Sequence, residues 1–104
     1  MDWDILIKGG DVIDPSQGLH GRANVGILGE KISAVGPSVD GDAQVVIDAR
    51  DKIVTAGFVD LHTHNYTSNS KLPSLDADST SLANGATTVL DAGTATPSEF
   101  PHYW

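Results

Sequence analysis

Short apolar runs punctuated by glycine, proline and aspartate fill the first half of the chain, and each is strand-length, not helix-length. Residues 5–8 and 11–14 are rich in isoleucine and valine and read as two strands, with Gly9-Gly10 between them as a tight turn. This makes a first hairpin, after which Pro15-Ser16-Gln17-Gly18 turns the chain again. Residues 23–28 and 31–35 alternate apolar with small or polar positions, and Gly29-Glu30 suits the two-residue link of a second hairpin. A loop over residues 36–42 leads to a strand at 45–48 and a short one at 52–54. The chain up to Val54 therefore reads as a small β unit.

The pattern changes at Thr55-Ala56-Gly57. Residues 58–64 form a strand, residues 65–74 a polar loop, and residues 75–83 a short helix. Ser74 or Asp76 can cap that helix, and Asn84-Gly85 supplies a left-handed stop. Residues 86–91, Ala-Thr-Thr-Val-Leu-Asp, are expected to be a buried strand. Strand, helix, strand is a βαβ unit, so the two strands should lie parallel. A helix within 95–104 is opposed by Pro97 and Pro101. The expected class is α/β, with residues 1–54 as one domain and 55–104 as the start of another. One helix cannot cover both faces of a parallel pair, so these residues hold only part of an architecture.

Composition narrows the chemistry. A net charge of -8 with six Lys plus Arg in 104 residues lacks the cationic cluster that nucleic acid or an anionic membrane demands. The absence of cysteine excludes disulfides and thiolate metal sites, leaving histidine and carboxylate as ligands. The acidic start and the brief Ile5-Leu6-Ile7 run fit neither a signal peptide nor a membrane span, and the expected location is cytoplasmic.

Candidate chemistry centres on His62 and His64. Two apart in a strand, their side chains leave on one side and can meet at one metal ion. The rival reading is a pair of exposed polar residues before a loop. The apolar neighbours Phe58, Val59 and Leu61 argue for a buried strand, where Asp60, His62 and His64 would be costly without partners. Asp60 has the same parity and is placed to orient a ligand or to contribute a carboxylate. A histidine ligand also needs its second ring nitrogen fixed by another group.

The stretch Ala56-Gly57-Phe58-Val59-Asp60-Leu61-His62-Thr63-His64 resembles the Pro-Gly-x-x-Asp-x-His-x-His signature of the amidohydrolase superfamily, with Ala56 in place of the usual proline. The flanking stretches Asp4-Ile5-Leu6-Ile7-Lys8-Gly9-Gly10-Asp11-Val12-Ile13-Asp14-Pro15, Glu30-Lys31-Ile32-Ser33-Ala34-Val35-Gly36 and Gly85-Ala86-Thr87-Thr88-Val89-Leu90-Asp91-Ala92-Gly93 resemble landmarks of its dihydroorotase-like branch. His62-Thr63-His64-Asn65-Tyr66 with Asp91-Ala92-Gly93-Thr94 is most similar to the amidohydrolase/deacetylase group within it. The resemblance implies a (β/α)8 TIM barrel with a composite β-sandwich, of which this chain holds the amino-terminal β unit and the first βαβ. Such a barrel takes roughly 250 residues, and only about fifty fall here.

The same resemblance implies one or two divalent ions, usually zinc, with His62 and His64 as the first two ligands. It implies hydrolysis of a non-peptide C–N bond in a small-molecule amide or cyclic amide by metal-activated water, and a homo-oligomer when intact. A bridging carboxylated lysine or glutamate, two later histidines and a last-strand aspartate have no match in this sequence, so no catalytic residue is assigned and the 104 residues alone are expected to be inactive. A non-catalytic binding module, a subunit completed by another chain, or a decayed remnant are the competing expectations.

Other residues receive plainer readings. Tyr66 is expected to pack in its loop, the alternative being a contact with substrate, and Asp91 to cap the turn after its strand, the alternative being to orient a ligand. Thr87 and Thr88 are strand formers, and Lys71 is a solvated loop residue. His20, in a turn, and His102, in the tail, are expected at the surface, and Trp3 and Trp104 half-exposed.

Overall fold

Gly9-Gly10 does not reverse the chain. In the computed structural model, which describes residues 1–66, 74–99 and 101, β1 (Trp3–Asp14) runs straight through the glycines, and they form a bulge instead of the expected turn. The first hairpin is made one turn later, at residues 15–18, by β1 and the antiparallel β2 (Leu19–Leu28). Ile7, Gly10 and Val12 stand opposite Val25, Ala23 and Gly21, three positions of one parity. The extra residue in β1 thus moves Ile7 and Val12 onto a single face, which an unbroken strand would not do. That face is the core of the unit: Val12, Ala23 and Val25 are buried, and Ile7, Leu19, Ile27, Val35 and Val54 pack against them.

A bulge removes a backbone N–H from the ladder, and here Asn24 accepts it. Gly9 N donates to Asn24 Oδ1 at 2.7 Å, and Asn24 Nδ2 donates to Val39 O at 2.6 Å. Gly9 itself has φ +77°, the left-handed region where glycine carries no Cβ penalty. Asn24→Ala should therefore cost about 2 kcal/mol, since a partly buried donor is orphaned. Thermal unfolding would check this, and an unchanged midpoint would mean that water replaces the side chain.

Gly29-Glu30 does link an antiparallel pair, β2 and β3 (Lys31–Gly36). β4 (Ala43–Asp48) and β5 (Ile53–Thr55) both lie parallel to β1 along its other edge, β4 against residues 3–8 and β5 against residues 11–13. Between them the chain detours beside the bulge, where Ala49 N donates to Lys8 O and Asp11 N to Lys52 O, each at 2.9 Å. The sheet order is β3-β2-β1-β4, with β5 continuing the β4 edge. His20 lies in β2, not in a turn, and is exposed, 3.8 Å from the Asp11 carboxylate. Trp3 is half-buried over Gly26, where a Cβ would fall 2.5 Å from Trp3 Cε3, and its indole N–H donates to Asp40 O.

Residues 1–56 and 57–104 form two compact units. In the second, β6 (Phe58–Thr63) and β7 (Ala86–Asp91) pair in parallel, as the strand–helix–strand pattern requires. The single helix expected over 75–83 is instead a turn of α-helix, α1 (Ala77–Thr80), followed by a 3-10 turn at Leu82–Asn84. Asp76 is the cap, accepting from Ser79 N at 2.8 Å, and Gly85 at φ +91° is the stop. The break has a local cause: Thr80 Oγ1 donates to Asp76 O and Asn84 Nδ2 to Thr80 O, so side chains compete for the carbonyls that a longer helix would use.

Neither β6 nor β7 is buried, contrary to expectation. Phe58 is 63% and Leu61 69% exposed, and Leu90 on β7 is exposed too. Among the described residues, the two short turns between these strands hold seven residues, too few to shield a parallel pair. The chain is mixed α/β, mostly strand.

Candidate metal centre

β6 enters at Gly57, where the fit to β7 is close. A Cβ there would lie 2.7 Å from Thr87 Cβ, so only glycine lets this strand start sit against its neighbour. The ladder is irregular further on: Asp60 pairs with Val89 and Thr63 with Asp91, leaving Leu61 and His62 opposite one residue. Asp60 fills this irregularity. Its Oδ1 accepts from the backbone N–H of His62 at 3.1 Å, so the carboxylate holds the strand and not an imidazole ring.

The strand ends at Thr63, one residue short of the expected boundary, and His64 is the first residue beyond it. The two imidazoles nevertheless meet, with ring centroids 5.5 Å apart and planes at 80°. Both rings are exposed and line an open concavity of about 950 Å³ with Asp60, Asn65, Leu75 and Asn84. Two imidazoles on one tetrahedral zinc, with Zn–N near 2.0–2.1 Å, place their centroids roughly 5 Å apart, so the observed spacing fits a shared ion.

One ring nitrogen is already engaged. His64 Nδ1 lies 2.7 Å from Thr94 Oγ1, and Thr94 is buried. Thr94 stands in the Asp91-Ala92-Gly93-Thr94 stretch that the sequence singles out, but no local rule joins it to His64, thirty residues away; the parallel pairing of β6 and β7 does. The Asn65 Oδ1 atom is buried without a partner among the described residues, while its Nδ2 donates to Leu75 O. Tyr66 is buried, as its loop-packing reading required.

Asp91 does more than cap its own turn. Oδ1 accepts from the N–H groups of Thr94 at 2.6 Å, Gly93 at 3.1 Å and Ala95 at 3.4 Å. Oδ2 reaches across to the other strand end and accepts from Asn65 N at 2.9 Å and Tyr66 N at 3.2 Å. Burial pushes this carboxyl up, but the N–H groups of Asn65, Thr94, Tyr66 and Ala95 outweigh it and hold it at about 2. Ala92 N to Thr63 O and Thr63 Oγ1 to Leu90 O complete the stitching of the two strand ends.

No cluster of three or more potential metal ligands occurs among the described residues. Lys71, His102 and Trp104 lie outside the described residues. No helix of the described residues is long and apolar enough to cross a membrane.

A family model described as "Amidohydrolase family" matches residues 45–102. The chain is 46% identical to the dihydroorotase of Streptococcus thermophilus over 58% of its own length and 14% of that protein's. Among solved structures, an adenine deaminase superposes with TM-score 0.80 at 30% identity, covering 98% of this chain and 26% of that one. The N-acyl-D-glutamate deacylase from Bordetella bronchiseptica, complexed with zinc and a phosphonate mimic of its tetrahedral intermediate, superposes with TM-score 0.67 at 31% identity over 86% of this chain and 18% of its own. The chain spans 13–19% of the length of the curated relatives it matches. With its family-model match and its paired histidines at a strand end, the chain belongs to the amidohydrolase family.

Proposed function

We propose that these residues are the amino-terminal part of a metal-dependent hydrolase of a non-peptide C–N bond, in an amide or cyclic amide, and that His62 and His64 are two of its metal ligands. The observation carrying this reading is the pair of imidazoles 5.5 Å apart, one with its Nδ1 secured at 2.7 Å. A zinc ion held there would acidify water toward neutrality and polarise a carbonyl. The chain's own part is to present two neutral nitrogens from a braced strand end and to leave a concavity open beside them.

The 104 residues have no turnover by themselves. Two imidazoles fall short of the three protein ligands usual for catalytic zinc, and Phe58, Leu61 and Leu90 of the β6–β7 pair are exposed. In the first unit Ile53 is 69% exposed, and Val45 and Val46 on β4 are exposed as well. Further polypeptide is expected to cover these surfaces and to bring the missing ligands, in a cytoplasmic enzyme that associates with itself.

The test is metal analysis of the full-length protein, followed by assays on N-acyl amino acids, dihydroorotate and hydantoins with and without chelator. Bound zinc or a similar ion, with chelator-sensitive hydrolysis of one of these classes, is the expected result. A metal-free protein that hydrolyses none of them would overturn the reading and favour a non-catalytic module.

A further inference from the structure

A metal-binding imidazole must be held in one tautomer, and His64 sits just past the last strand residue, where its carbonyl accepts from Leu75 N at 2.9 Å but that bond leaves the ring unset. What touches its ring nitrogen is Thr94 Oγ1, at 2.7 Å. Thr94 is 5% exposed, the buried polar residue of the described set. Its own backbone is pinned, since its N–H donates to Asp91 Oδ1 at 2.6 Å. Asp91 Oδ2 grips Asn65 N, the residue after His64. One carboxylate therefore holds both the residue that bears the hydroxyl and the backbone that carries the ring. The 2.7 Å contact is built from both sides.

Asp60 is the carboxylate that sequence parity would choose for orienting a ring, yet it is engaged with the His62 backbone. We infer that Thr94 is the positioning residue for His64: its hydroxyl accepts the Nδ1 proton and so leaves Nε2 as the nitrogen that binds metal. A threonine hydroxyl has two acceptor lone pairs and one proton, so it can receive Nδ1–H while its own proton goes elsewhere. The opposite polarity, with the hydroxyl donating to Nδ1, would put the ring proton on Nε2 and block that nitrogen. The proposal rests on the metal-site reading above for its purpose, but the tautomer is a property of the metal-free protein.

Two measurements separate these questions. Nitrogen-15 spectra of histidine-labelled, metal-free full-length protein, with His64 assigned by its loss in His64→Asn, are expected to show the proton on Nδ1. Thr94→Val keeps the shape and deletes the hydroxyl; it should leave His64 a mixture of tautomers and weaken zinc binding, measured by chelator competition, about 10–100-fold. Thr94→Ser should restore both, which a merely structural role for the side-chain methyl would not predict. An unchanged His64 tautomer in Thr94→Val, or a proton on Nε2 in the unsubstituted protein, overturns the positioning role whether or not zinc binds. Failure of the unsubstituted protein to bind zinc, with the tautomer result intact, would overturn the metal reading and leave Thr94 as the group that sets the His64 tautomer.

Discussion

On the proposed metal site, the full-length protein carrying His62→Ala and His64→Ala together is expected to purify without metal and to lose hydrolysis by more than about 10³-fold, because the several-unit acidification of water that a bound ion would supply disappears with it. In the proposed site two nitrogens come from this one strand end, where the ring centroids lie 5.5 Å apart. Their removal takes away both nitrogens that this strand end offers an ion. Stability should change little, since both side chains are exposed within these residues. Metal content by elemental analysis and turnover under added zinc are the two readouts. A double variant that keeps stoichiometric metal would move the site elsewhere in the protein.

Asp91→Ala is expected to have the largest effect on folding among the polar substitutions. It deprives five backbone N–H groups of their acceptor, from Asn65 and Tyr66 on one strand end to Gly93, Thr94 and Ala95 on the other. Hydrogen bonds to an ionised group are the stronger kind, and water takes over part of what is lost at this half-buried site. A net cost of about 2–3 kcal/mol follows, measured by thermal or denaturant unfolding. Loss of Asp91 should also loosen Thr94, and with it the His64 ring.

The same carboxylate gives an acid dependence. Its folded pKa of about 2 lies below the ordinary 3.8, so over that interval the folded state binds fewer protons than the unfolded one. The stabilisation is therefore fully present above roughly pH 4 and drains away as pH falls from there toward 2. Asp91→Asn should flatten the stability profile in that window while leaving the slope above it unchanged. An identical acid limb in the variant would assign the effect to other carboxylates.

Much of this protein was legible in the order of its residues. The β character of residues 1–54, the Gly29-Glu30 hairpin, the Asp76 cap, the Gly85 stop and the parallel pairing of β6 with β7 all follow from local rules: turn chemistry, caps and side-chain period. His62 and His64 were marked by their spacing for the same reason, since residues two apart on a strand share a side.

What the tertiary structure decided is everything that depends on a distant partner. Gly9-Gly10 is equally good as a turn or a bulge by composition. The bulge wins because Asn24 receives the displaced N–H and because the shift brings Ile7 and Val12 onto the core face. Likewise β4 and β5 share one edge of β1 through parallel contacts that no hairpin signal announces. At the site, Asp91 and Thr94 reach the histidine strand only after β6 and β7 lie side by side, across some thirty residues of chain. Local sequence sets each residue's preferred backbone and facing, but a hydrogen bond between separate strands exists only once the register is chosen. That choice belongs to the whole sheet.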